Sequence, residues 1–202
     1  ADWARTSDQW KTRLISLGLI EERKNSFQFH QQDEDGLVSD ALFDQQRRKT
    51  EFVGRATYGR VSGSSLKPEY GIEVANNRLD TNALTETGPI DGSDVVVEEW
   101  RSEVFATFVY EASEKLTLEG GLTGEFSQIE VTGDSNQKQT FRYIKPRVSS
   151  TYKFNDDMRL TVEVQRTVGQ LDFTDFAFSS DGADSRTTAG NPGLSPDTNT
   201  EW

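Results

Sequence analysis

Residues 158–164 alternate strictly: Met158, Leu160, Val162 and Val164 are apolar, and Arg159, Thr161 and Glu163 are polar. A period of two places the apolar set on one face of a β-strand. Residues 116–126 do the same, with Leu116, Leu118, Leu122 and Phe126 in phase, Gly120 and Gly124 between them, and Thr117, Glu119, Thr123 and Glu125 opposite. In 144–154, Ile144, Pro146, Val148, Tyr152 and Phe154 oppose Lys145, Arg147, Ser149, Thr151 and Lys153. In 67–74, Pro68, Tyr70, Ile72 and Val74 oppose Lys67, Glu69 and Glu73. Phe52, Ala56 and Tyr58 are in phase. Residues 100–110 put Trp100, Val104, Ala106, Phe108 and Tyr110 on one parity and Phe105 and Val109 on the other. Over 10–20 the phase is contested, because Leu14 and Ile15 compete.

These segments predict about seven strands, near 10–28, 47–61, 67–80, 96–111, 116–131, 139–154 and 158–171. Short joints of turn-forming residues separate some of them: Ser62-Gly63-Ser64-Ser65, Ala112-Ser113-Glu114 and Asn155-Asp156-Asp157, with an earlier turn at Thr6-Ser7-Asp8. Longer polar joints fall between, at about 30–46, 81–95, 132–138 and 172–202. Alternating short and long joints predict an all-β, antiparallel up-and-down meander with tight turns at one rim and loops at the other. Several strands exceed the roughly 9–11 residues that cross a bilayer. The excess, such as Gln128, Glu130 and Thr132, is expected to project on the long-loop side.

Composition sharpens this picture. Only 33% of the 202 residues are hydrophobic and mean hydropathy is -0.70, yet 10% are aromatic. A barrel with an oily outside and a wet inside has low mean hydropathy, because lipid-facing and lumen-facing residues alternate. No apolar run approaches the roughly 20 residues of a transmembrane helix. The opening residues Ala1 to Gln9 are polar, so no signal peptide is expected in this chain. The formal charge of -12, from 34 acidic and 22 basic residues, points away from nucleic acid as a partner. The absence of cysteine excludes a disulfide framework and thiolate metal sites.

Candidate chemistry is sparse. Gly-x-Ser-x-Gly, a phosphate loop, His-Glu-x-x-His and a dinucleotide fingerprint are all missing, so no catalytic residue, cofactor-binding residue or metal ligand is assigned, no cofactor is expected and the chain is not read as an enzyme. The single histidine, His30, reads as a surface or rim residue. Asp172, Asp175, Asp181 and Asp184 fit no calcium-loop spacing and read as a solvated loop. Loops after residues 80 and 172 are the places where a solute would be met; the substrate-binding residues themselves are unknown. Leu118, Leu122, Leu160 and Val162 are expected to face acyl chains. Tyr58, Trp100, Tyr110 and Tyr152 would form interfacial girdles, and Glu119, Glu125, Lys145, Arg147, Arg159 and Glu163 would line the lumen. Alternation alone leaves three readings open: a membrane barrel portion, a soluble β-sandwich binding module, and a small autonomous outer-membrane barrel of about eight strands.

A resemblance favours the first. Phe141-Arg142-Tyr143-Ile144-Lys145-Pro146-Arg147 resembles the Tyr-x-Lys-Pro-Arg strand opening of TonB-dependent outer-membrane receptors. Arg166-Thr167-Val168-Gly169-Gln170-Leu171-Asp172-Phe173 resembles their Arg-x-Val-Gly-Gln-Leu-Asp-Phe segment. Ala189-Gly190-Asn191-Pro192-Gly193-Leu194-Ser195-Pro196-Asp197 is similar to the Gly-Asn-Pro-x-Leu-x-Pro-Glu motif before a late barrel strand, with Asp197 where Glu is usual. Gly71 to Leu79, with Asn77-Arg78-Leu79, looks like a further family strand. The resemblance implies that 1–202 is a middle part of a barrel of about 22 strands, without plug domain. It implies outer-membrane lipid as one partner, in the cell outer membrane of a Gram-negative bacterium. It also implies a TonB-type energising complex acting through a plug, so no residue of 1–202 receives the energy step. The cargo class stays open among a ferric siderophore, vitamin B12 and a carbohydrate.

Overall fold

The computed structural model describes residues 1–32, 38–86, 88–90, 93–134, 136–176, 179–181, 186–188, 190–191 and 193–202. In chain order the strands are β1 (Asp2–Ser7), β2 (Trp10–Gln32), β3 (Val38–Arg60), β4 (Leu66–Thr85), β5 (Gly88–Pro89), β6 (Val95–Glu111), β7 (Leu116–Gly133), β8 (Gln137–Lys153), β9 (Arg159–Val168), β10 (Ser179–Asp181), β11 (Arg186–Thr188) and β12 (Thr198–Glu201). A single 3-10 turn covers Phe173–Phe176. Ten strands form one antiparallel sheet in the order β1-β2-β3-β4-β6-β7-β8-β9-β12, with β5 paired on β4, and β10 and β11 form a separate pair. The meander is therefore as expected, its seven long strands being β2, β3, β4, β6, β7, β8 and β9. The sheet is open, with β1 and β12 at its edges.

The strands overrun the lengths expected from alternation. β2 and β3 pair continuously from Trp10↔Arg60 to Gln32↔Val38, so most of the joint expected at 30–46 is strand. The joint expected at 132–138 shrinks to 134–136, and that at 81–95 begins only after Thr85 and carries β5. The cause is that ladder hydrogen bonds use only the backbone. Alternation fades wherever both faces meet water, but the pairing does not. At the other end β9 stops at Val168, short of the expected 171. The short turns fall where expected, including the early one, where Ser7 pairs with Trp10 around Asp8 at φ 52.

Register decides which side chains share a face. In every ladder from β2 through β9 to β12, leaving β5 aside, paired residues have the same parity: Leu14↔Ala56, Ala56↔Ile72, Ile72↔Val104, Val104↔Gly124 and Gly124↔Ile144 make one row. From β2 through β9 to β12, even-numbered residues thus occupy one face of the sheet and odd-numbered residues the other, while β1 and β5 pair with the parity reversed. Every buried non-glycine strand residue among the described residues is odd: Phe43, Gln45, Ala75, Asn77, Leu79, Thr81, Ala83, Val95, Val97, Glu99, Phe105, Ser127, Ile129, Val131 and Ser149. The odd face is the covered, inner one. The even face is bare and greasy, with Ile72, Val104, Leu122, Ile144, Val148, Leu160 and Val162 all exposed.

Pro146 marks a break in this wall. Proline has no N–H to give a ladder, and the β8–β9 pairing begins only at Arg147↔Gln165. On its other edge β9 pairs with β12, from Val168↔Thr198 to Gln165↔Glu201. The chain after Val168 turns inward, and Phe173 and Phe176 bury themselves against Leu79, Val95, Val97, Ile129 and Val131 on the inner face. Leu171, Leu194 and Phe141 pack around that cluster.

Candidate functional site

The even face carries a bounded apolar band. Its last apolar residue toward the long-loop end is Phe52 on β3, Val74 on β4, Trp100 on β6, Phe126 on β7, Ile144 on β8 and Val164 on β9. The next even positions are Thr50, Asn76, Glu98, Gln128, Arg142 and Arg166. The edge of this band slants. Phe52 lies in the row of Trp100, through Asn76, whereas Val164 lies in the row of Phe108, through Val148 and Gly120. That is a drift of eight residues, Trp100 to Phe108, over the five steps from β3 to β9. At about 3.3 Å per residue and about 4.8 Å per strand, the drift is about 26 Å against about 24 Å, a strand tilt of about 45° to any plane-bounded slab. On β6 the band runs from Trp100 to Tyr110, about 33 Å along the strand, which that tilt projects to about 23 Å. The apolar belt of an outer-membrane barrel is about 25 Å tall.

Aromatic residues crowd both borders. Tyr58 stacks on Trp10 at 4.7 Å, and Tyr152 meets Phe154 edge-on at 4.9 Å, both at the short-turn rim. Tyr110 lies at that rim too, while Trp100 lies at the opposite border with its indole N–H donating to Glu98 at 3.0 Å. The four girdle residues read from the sequence thus divide three to one between the borders. Leu122, Leu160 and Val162 are exposed on the even face and Leu118 is half-buried there. A shallow apolar groove on this face is bounded by Tyr58, Tyr70, Ile72, Val104 and Leu122.

The inner face at the height of the band is a ladder of charge. Arg55 reaches Glu73 at 3.3 Å, and Arg101 reaches the same carboxylate at 3.8 Å. Lys145 lies 2.7 Å from both Glu103 and Glu125, bridging three strands. Arg147 pairs with Glu163 at 2.8 Å. Glu99 accepts hydrogen bonds from Ser127 at 2.7 Å and Asn77 at 3.1 Å. All the predicted lumen residues lie on this face: Glu125, Lys145, Arg147 and Glu163 in the ion pairs, and Glu119 and Arg159 outside them. Phe105, out of phase in the sequence, lies under the Arg55 guanidinium at 4.6 Å. Its ring fills the space over Gly71, where a Cβ would come within 2.1 Å of the ring.

Beyond the band, toward the long loops, the inner face changes character. First comes the apolar cluster sealed by Phe173 and Phe176. Beside it a cleft of about 300 Å³ opens between the sheet and the inward-folded segment, lined by Lys49, Glu51, Asn77, Leu79 and 170–174. Asp172 stands there. The Thr174 backbone N–H, 2.9 Å away, and the Thr174 hydroxyl hold the Asp172 carboxyl below its ordinary value, and Lys49 and Arg47 add to this. Asp175 is exposed, and its backbone carbonyl accepts from the Asn191 N–H at 2.9 Å. The Asn191 side chain accepts from the Gly193 N–H at 3.0 Å and shapes the loop. The side chains of His30 and Asp181, and all of Asp184, Ala189 and Pro192, lie outside the described residues. Among the described residues no cluster of three or more His, Asp or Glu is arranged for a metal.

Sequence reasoning missed the row next to this cleft. On the inner face Arg23 pairs in register with Arg47, Arg47 with Thr81, and Thr81 with Val95. Burial first, and then the charge of Arg23, pull the Arg47 guanidinium below its ordinary value, while Asp172 opposes them. The only available signal was parity, since Arg23, Arg47 and Thr81 are all odd; the register that brings them together was not legible.

No protein-family model matches the sequence, and no curated protein matches it. Among solved structures the chain is similar to the ferric yersiniabactin uptake receptor FyuA from Yersinia pestis, with a TM-score of 0.57 and 15% identity. The match covers 96% of this chain and 29% of that one. At that identity the likeness speaks for the fold: an antiparallel meander similar to part of an outer-membrane receptor barrel.

Proposed function

We propose that residues 1–202 are part of the wall of a TonB-dependent outer-membrane receptor that takes up a scarce solute. One observation carries the reading: the even face is an exposed apolar band about 23 Å tall with aromatic borders, while a ladder of ion pairs lies on the opposite face, with Glu73, Glu103, Glu125 and Lys145 among the most covered. A soluble β-sandwich does the reverse, burying its apolar face against a second layer. Among the described residues nothing lies against the even face but solvent. In hydrocarbon, every backbone N–H and C=O must be bonded within the wall, and the continuous ladders that join β2 to β8 do that between those strands at the height of the band.

In this reading Val104, Leu122, Leu160 and Val162 touch acyl chains, and the salt-bridged ladder faces a wet lumen and the plug of the parent receptor. The overrun of β2 and β3 past Phe52 stands above the membrane on the solute side. The TonB-type complex acts on the plug, and the cargo is a ferric siderophore or another large solute. The motif resemblance and the likeness to a siderophore-uptake receptor support this. The test is fractionation of the full-length protein. Recovery with the outer membrane, with gel migration that changes on heating, is expected; recovery in the soluble fraction would overturn the reading.

A further inference from the structure

We propose that Arg47, flanked by Arg23 and Thr81 on the inner wall, is an anion-recognition site that engages an oxyanion group of carboxylate or phosphate type on the entering solute. The proposal rests on the reading that the odd face lines the solute path, and it adds a charge class to a cargo otherwise open.

Three cations face inward here, on β2 and β3. Arg23 is held by Glu21 at 2.5 Å, and Lys49 by Glu51 at 2.6 Å. Arg47 differs: among the described residues no carboxylate lies within ion-pair distance of it. Its cross-strand partner is another arginine, an arrangement that is unfavourable for like charges directly opposite. On its other side stands Thr81, only 4% exposed, whose Oγ1 is buried without a hydrogen-bond partner. A half-buried unpaired guanidinium beside an unpartnered buried hydroxyl is costly in an empty wall. One oxyanion would satisfy both, accepting from the planar guanidinium fork and from the hydroxyl. A carboxylate that acts on Arg47 electrostatically is Asp172, on the segment that folds inward. It influences Arg47 and Lys49 from a distance and is the group an incoming anion would compete with. The row lies beyond the apolar band, at the long-loop edge of the cluster sealed by Phe173 and Phe176, which Val95 joins. A solute passing the loops meets it before the charged ladder at the height of the band.

The test uses the full-length protein, folded in detergent, titrated calorimetrically with citrate and separately with inorganic phosphate at constant ionic strength. Saturable binding of at least one anion is expected. Arg47→Gln should weaken it tenfold or more, Thr81→Val several-fold, and Arg47→Lys less than Arg47→Gln. Arg159→Gln, at the opposite rim, should leave it unchanged. Citrate and phosphate arms separate carboxylate from phosphate recognition. Failure of the wild type to bind either anion, or equal binding by Arg47→Gln, overturns the site. Heat-modifiable migration of each variant reports folding independently. A protein that folds in membranes but ignores both anions sinks this site alone, whereas a soluble protein sinks the receptor reading.

Discussion

Replacing Val104 by arginine separates a lipid-facing wall from a water-facing one. Val104 is 63% exposed on the even face, four residues below Trp100 and six above Tyr110, near the middle of the apolar band. In water an exposed valine-to-arginine change on a sheet is worth only about ±0.5 kcal/mol. At the bilayer midplane it costs about 2–4 kcal/mol, falling to about 0–1 near the interface. Val96 supplies the internal control. It shares the strand and the even face but lies eight residues away, about 26 Å along β6 and, at a tilt of about 45°, about 19 Å in depth. Val96→Arg therefore reaches the aqueous side. The assay is denaturant unfolding of the protein reconstituted in liposomes, followed by tryptophan fluorescence. A difference of about 2–3 kcal/mol between the two variants is expected from those ranges. Equal, small effects at both positions would refute the assignment of the even face, whatever the resemblance to known barrels.

Other outcomes follow from the inner face. Lys145→Met leaves Glu103 and Glu125 side by side without their shared cation. The three side chains are 20%, 18% and 8% exposed, so the loss should be about 2–4 kcal/mol by equilibrium unfolding, and Glu125→Gln in the same background should recover part of it. Gly71→Ala drives a methyl into the Phe105 ring and should cost about 1–3 kcal/mol; pairing it with Phe105→Leu should restore stability in a double-mutant cycle. The carboxyl of Asp172 lies below its ordinary value of 3.8 in the folded protein. Its contribution to anchoring the inward segment is therefore complete above that value and is lost as pH falls through the lowered one. Accessibility of an engineered cysteine at Leu171, on the same segment, should stay constant from neutrality down to about pH 4 and rise only below it, and Asp172→Asn should abolish that rise.

Much of this was legible because alternation is a local property. Met158 to Val164 and Leu116 to Phe126 announce their faces residue by residue, and the turns at Asn155–Asp157 and Ser62–Ser65 announce the rims. Phe105 looked like noise in that pattern, because its partner is the space over Gly71, directly opposite on the neighbouring strand β4 but distant in sequence. The ends of β2 and β3 were invisible for a different reason: polar residues on both faces erase the period while the backbone goes on pairing. The inward turn of 170–176 was hidden among acidic residues, where only Phe173 and Phe176 hinted at a buried segment. The Arg23, Arg47 and Thr81 row required knowing that the β2–β3 register is centred beyond Gln32, which composition does not reveal.

The constancy of parity has a consequence for how such a wall changes over time. Because every ladder that joins β2, β3, β4, β6, β7, β8, β9 and β12 preserves odd-with-odd pairing, the chain behaves as a reading frame with two settings. Gain or loss of one codon inside a long strand would swap oil for charge along the remainder of that strand, and in its successors unless a rim turn absorbed the slip. Sequence drift is thereby channelled: lengths can vary freely at the rims, in steps of two within the spans, and hardly otherwise.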